Sequence, residues 1–247
     1  MLETAVALAA AHFAADFLIR PDGVAPAGPR AFLLHIVLVT ALAWAALGYP
    51  PVWMLLGLLA AGHAGIDLAR RWLGGHGLAA FLARQAAHLA AIALLASLWP
   101  GSWDAGVWAQ PATLARLPWL ETLPAAYTLG AGVIATVWAG GQAVGALMGE
   151  MLTAEIPKGL PRGGLIIGRL ERLMILMMIL MGQPAGIGFL ITAKSILRFG
   201  EVTGNQDDTA TRLISEYVII GTLASFAWAL ATATATQALL TLLATGP

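Results

Sequence analysis

The chain contains no cysteine. That absence removes disulfides, thiolate catalysis and zinc–thiolate sites together. Charge is scarce as well: Asp, Glu, Lys and Arg make up 11% of the 247 residues, against roughly 25% in a typical soluble domain. The 13 basic and 13 acidic residues cancel, so no global field points to nucleic acid. A glycine-rich nucleotide loop and an H-E-x-x-H helix are also missing. What the chain has in abundance is apolar surface, with 59% hydrophobic residues. A chain of this size has too little interior to hide that much from water, so lipid is the solvent that fits it.

Apolar runs of about 20 residues, the length that crosses the hydrocarbon, recur along the chain. They predict eight spans, roughly 3–19, 31–49, 52–69, 78–99, 125–149, 163–182, 184–200 and 214–238. The first does not read as a signal peptide, because His12 and Asp16 interrupt it and no basic stretch opens it. Every Lys and Arg except Arg116 lies on one set of alternate connections or in the span ends that adjoin them. The positive-inside rule makes that side cytoplasmic and puts both termini outside. Between Arg172 and Lys194 a single crossing is the alternative; Gly182, Gln183 and Pro184 favour a hairpin there. The expected fold is an all-α, polytopic membrane bundle. Its parts are a His/Asp region over 1–99, an extracytoplasmic Trp/Pro-rich loop over 100–123, and a four-helix region over 124–247. Trp103, Trp108 and Trp119 of that loop are expected to rest their indoles at the headgroup level.

The first four spans carry a duplication. The pattern H-x-x-x-D-x-x-x-R runs from His12 through Asp16 to Arg20, and again, 51 residues on, from His63 through Asp67 to Arg71. Each copy is followed by a histidine on the next span, His35 and His88. The pattern predicts two pseudo-repeated helical hairpins. Residues at i and i+4 share a helix face, so each His–Asp pair can point at one target. His12 and His63 each precede the arginine of their copy by a rise of about 12 Å, which places them at similar depth. Ionisable groups at that depth are costly and persist where they pair, line water or hold a metal. Candidate metal ligands are therefore His12, Asp16, His35, His63, Asp67 and His88. Imidazole with carboxylate suits zinc first, and also manganese or iron. A His–Asp hydrogen-bond network is the competing reading, and His76 reads as a loop residue.

At these residues the chain resembles a bacterial family of integral membrane proteins, the domain of unknown function numbered 3307. The shared elements are His12, Asp16 and Phe17, then His35, His63, Asp67, Gln85 and His88. In the second half they are Glu171 to Leu173, Gly182 and Gln183, Ala193 to Phe199, and Glu216 to Thr222. Arg20 stands where the family pattern has glutamine, and Arg84 where an aspartate often precedes Gln85. The resemblance implies a membrane protein and brings no activity with it.

The later spans add Arg169, Glu171, Arg172, Lys194, Arg198 and Glu216. They read either as interfacial anchors or as an anion clamp, the basic groups gripping a phosphate or carboxylate. A dyad of Lys194 and Ser195 is disfavoured, because adjacent helix positions do not face each other. The preferred reading is a membrane-bound, metal-dependent hydrolase. Asp16, Asp67 or Glu171 would take the catalytic proton roles, and the basic groups would hold an anionic lipid or phosphorylated substrate. The alternatives are a metal-ion or proton transporter, and a non-enzymatic membrane subunit. The sequence assigns no oligomeric state.

Overall fold

The computed structural model describes residues 1–19, 28–73, 77–151, 163–202 and 209–246, with the side chains of 71–73, 195–202 and 209–215 left aside. Among them every regular element is a helix. The long ones are α1 (Leu2–Phe13), α2 (Pro29–Ala46), α3 (Trp53–Leu73) and α4 (Gly77–Leu98). After the one-turn α5 (Pro111–Leu114) come α6 (Leu123–Ile134), α7 (Gly140–Met151), α8 (Gly163–Leu180), α9 (Ala185–Val202) and α10 (Thr209–Ala244). Two π-helical turns interrupt them: Ala14–Leu18 continues α1, and Ala135–Ala139 joins α6 to α7.

Four stretches are long and apolar enough to cross a membrane: Pro29–Ala46, Gly77–Leu98, Pro118–Met151 and Glu216–Ala244. They match four of the expected spans and mark a membrane protein. The other four expected spans are also helical, but three of them carry the polar groups that lower hydropathy. Helix α1 ends at Phe13 and the π turn that continues it holds Asp16, α3 holds Asp67 and Arg70, and α8 holds Arg169, Glu171 and Arg172. Of α9, Ala185–Lys194 is a shorter apolar helix. Large apolar side chains such as Leu34, Met54, Leu94, Phe189 and Leu223 face outward. That surface suits acyl chains and would be a liability in water.

The chain packs as two compact units, Met1–Ile134 with Ala238–Pro247, and Ala135–Gln237. The first holds both the 1–99 region and the 100–123 stretch that the sequence reading set apart. In it α1 packs on α2, α4 and α6, α2 on α3, and α3 on α4. Ala7, Ala11 and Ala15 line up along α1, fully or nearly buried, and so let its neighbours come close. A core of Leu8, Leu47, Leu55, Leu59, Ile92 and Leu95 lies beside them.

Trp103 belongs to that core rather than to the headgroup level, and the Trp108 Nε1–H donates to the Ala45 carbonyl at 2.8 Å. Only Trp119 of the three is strongly exposed, at 60%. The correction has a local cause. The 100–123 stretch folds back on the end of α2, where the Val107 N–H donates to the Gly48 carbonyl at 2.8 Å. A Cβ at Gly106 would sit 1.8 Å from the Leu47 carbonyl oxygen, so only glycine allows the approach.

In the second unit α8 ends at Leu180, Gly182 follows with a left-handed φ of 69°, and α9 begins at Ala185 and packs back on α8. The chain therefore turns where Gly182, Gln183 and Pro184 were expected to turn it.

Candidate metal centre

Four helices of the first unit each bring polar groups to one buried locus. Helix α1 and its π turn supply His12 and Asp16, α2 His35, α3 His63 and Asp67, and α4 Gln85 and His88. None of the seven is more than 9% exposed. The six predicted ligands are thus all brought together.

Their arrangement is tighter than the repeat implied. His35 Nε2 lies 3.1 Å from His63 Nε2 and 3.1 Å from Asp16 Oδ1, and His63 Nε2 lies 3.5 Å from the same oxygen. Donor atoms around a tetrahedral ion, each about 2.0–2.2 Å from it, are about 3.3–3.6 Å apart. The observed triangle matches to within a few tenths of an ångström. Asp67 Oδ2 stands 3.8 Å and 3.9 Å from the two histidine nitrogens, in position for a fourth donor. Asp16 Oδ1 makes no hydrogen bond despite its short approach to His35, while the two imidazole nitrogens share a hydrogen bond in which one ring supplies the N–H and the other the lone pair.

His12 and His88 form the outer part of the cluster. The His88 ring stacks between those of His63 and His12, with centroids 4.2 Å and 4.7 Å away. His88 Nε2 is 3.6 Å from Asp67 Oδ1. An amide oxygen can only accept, so His12 Nε2–H donates to Gln85 Oε1 at 3.1 Å. That leaves a lone pair on His12 Nδ1, 3.9 Å from Asp16 Oδ2. The π turn explains the loose spacing: its wider winding takes Asp16 out of strict i, i+4 register with His12 and aims it at His35 and His63. His12, His63 and His88 also form a second group of three whose ligand atoms lie within 4.8 Å of one another. They line a cavity of about 20 Å³, enough for one water.

Electrostatics points the same way. Among the described residues the charged partners of Asp16 are all imidazoles, which are cationic only when protonated. A buried carboxylate with no fixed cation is costly, and a bound cation removes that cost. The buried His/Asp groups can hold a metal ion. Gln85 enters as part of the site although only the family resemblance had singled it out. The available signal was its place three residues before His88, on the same helix face. His76 and Arg20 lie outside the described residues.

Of the residues expected to form an anion clamp, Glu171, Arg172 and Lys194 line one cavity, and Arg169 and Glu216 are not among its lining residues. Lys194 Nζ donates to Glu171 Oε2 at 2.7 Å, so Glu171 serves an ion pair. Arg172 is buried and gives its Nε–H and one Nη2–H to the Val137 carbonyl, at 3.3 Å and 2.9 Å, and an Nη1–H to Ser225 Oγ at 3.0 Å. That carbonyl belongs to the second π turn, whose wider winding frees backbone acceptors for side chains. A Cβ at Gly140 would lie 2.6 Å from the Trp228 ring and 2.9 Å from the Arg172 stem, so glycine is what admits them. Arg169 lies over the Trp138 ring instead, 5.7 Å from its centroid. Glu216 is exposed, and the side chain of Arg198 lies outside the described residues.

Comparison with protein-family models, with curated proteins and with solved structures finds no match, so the functional argument rests on this geometry.

Proposed function

We propose that the chain is an eight-span protein of the bacterial inner membrane, both termini outside, whose first unit is a divalent-metal centre for hydrolysis of a membrane-associated substrate, a lipid or a phosphorylated compound. The resemblance to the family numbered 3307 is part of this proposal. The observation that carries it is the triangle of Asp16 Oδ1, His35 Nε2 and His63 Nε2, with edges of 3.1, 3.1 and 3.5 Å. Zinc suits two imidazoles and two carboxylates; manganese and iron are the alternatives. An ion there supplies Lewis acidity and makes water a stronger acid. Asp16, His35 and His63 would hold it and Asp67 would close the set. His88 would orient Asp67 from the far side, and one of the two aspartates would accept the proton from water. The cavity of about 20 Å³ beside His12, His63 and His88 has room for that water.

The test is metal analysis of detergent-purified protein beside a hydrolysis assay on phosphate and carboxylate esters. About one zinc, manganese or iron ion per chain is expected, with activity that follows metal loading. Equal metal in wild type and His35→Ala/His63→Ala would overturn the proposal. A transport reading has one observation in its favour: a space this small suits an ion better than a headgroup. Metal or proton flux into proteoliposomes, abolished by Asp16→Asn without any hydrolysis, would favour it.

A further inference from the structure

The second unit holds a much larger space, about 640 Å³, bounded by α7, α8, α9 and α10. Cavities of 300–1,000 Å³ are the usual size for small-molecule ligands. Ile167, Leu190 and Val218 make one wall apolar, and Ile167 is itself 54% exposed on the outer face of the bundle. One helical turn further along α8 and α9 the lining becomes charged, with Glu171, Arg172 and Lys194.

The charges of this polar end do not balance. Glu171 is taken by Lys194, and every partner of Arg172 among the described residues is neutral: the Val137 carbonyl and the Ser225 hydroxyl. Two cations therefore face one carboxylate across the cavity. A guanidinium that is only 4% exposed and makes no direct ion pair among the described residues is costly to bury, and an anion beside it lowers that cost. Donors for one are at hand. Arg172 has five N–H groups and uses three, and Lys194 has three and uses one. The hydroxyls of Tyr217 and Thr222 also line the space.

We propose that this cavity binds a membrane amphiphile with a singly charged anionic head, Arg172 and Lys194 gripping the head while the Ile167, Leu190 and Val218 wall takes the acyl chain. A phosphodiester or a carboxylate supplies the head, since both offer two charged oxygens to a cationic fork. The apolar wall and its exposed rim favour entry from the bilayer over capture of a free anion. The site stands independently of the metal centre, because all its groups belong to the second unit.

The experiment is native mass spectrometry of the full chain in neutral detergent, titrated with a phosphatidylglycerol, a phosphatidylcholine of the same chains, oleate and inorganic phosphate. Phosphatidylglycerol or oleate should be retained roughly tenfold more than phosphatidylcholine, and which of the two leads identifies the head. Lys194→Met should remove most of that preference. Gly221→Leu serves as a second variant. The nearest atoms to a Cβ at Gly221 belong to the flexible Met148 side chain, with Sδ at 3.4 Å, so the larger side chain fills the cavity and should block binding of all chain-bearing ligands in a folded protein. Equal retention of anionic and zwitterionic lipid, phosphate binding as well as the lipids, or unchanged binding in Gly221→Leu would each overturn the proposal. Metal-stripped protein should bind the lipid unchanged, which separates this test from that of the metal centre.

Discussion

The two units bury opposite charges and leave both unbalanced. Among the described residues, the ion-pair partners of Asp16 in the first are imidazoles, and the hydrogen-bond partners of Arg172 in the second are a carbonyl and a hydroxyl. Each group lies on or against a π-helical turn, Ala14–Leu18 or Ala135–Ala139. The contrast lies in what is missing beside each. The first unit converges lone pairs and a carboxylate and so calls for a cation. The second converges N–H donors and so calls for an anion. In lipid, where an uncompensated ion is expensive, both arrangements point to ligands of opposite sign.

The comparison breaks most decisively at His35 and His63. Replacing both by alanine removes two of three converging donors, and bound metal should fall from about one ion per chain to under a tenth of that, read by elemental analysis. Anionic lipid binding should not change. The reciprocal substitution, Arg172→Met, should leave the metal in place and destabilise the protein by about 1–3 kcal/mol. Its cause would be the Val137 carbonyl losing both of its donors. Unfolding in mixed detergent micelles measures this, and a stability within 0.5 kcal/mol of wild type, about the size of an ordinary surface change, would mean the guanidinium is not needed there. Next come His12→Ala and His88→Ala. As outer groups they should lower metal affinity by about 10–100-fold without changing the number of ions bound. Loss of stoichiometry in either would instead make that histidine a direct ligand.

The sequence disclosed the cluster because a duplicated H-x-x-x-D pattern in apolar surroundings has few physical excuses. It could not disclose the pairing inside it. The repeat makes His12 the counterpart of His63, and His35 that of His88, yet the tight triangle joins His35 of one copy to His63 of the other. That choice follows from α2 packing on α3, a tertiary fact. The π turns were hidden for the same reason, since the second one's Val137 carbonyl finds its donors on a residue 35 positions away. Glu171, Arg172 and Lys194 were legible as a charged group, but the partners each takes were not, because a run of charges carries no record of them. Trp103 read as interfacial because an indole near prolines resembles a membrane belt, and only the Gly106 approach draws its segment into the core.

The smallest effect expected is at Gln85, and it tests whether the outer histidines are held or merely packed. Gln85 Oε1 accepts from His12 Nε2–H, which keeps the other ring nitrogen unprotonated and turned toward Asp16. Gln85→Leu leaves the volume similar but removes the acceptor, so His12 is free to exchange tautomers and donate from Nδ1 to Asp16 Oδ2. That hydrogen bond would compete with a cation for the carboxylate, and metal affinity should fall several-fold, at the weak end of the 10–100-fold range for outer-sphere partners. Gln85→Glu keeps an acceptor at the same place and should hold affinity at or above wild type. Competition titrations with a zinc chelator resolve differences of this size. If leucine and glutamate behave alike, the tautomer of His12 has no bearing on the ion, and its contact with Gln85 is packing alone.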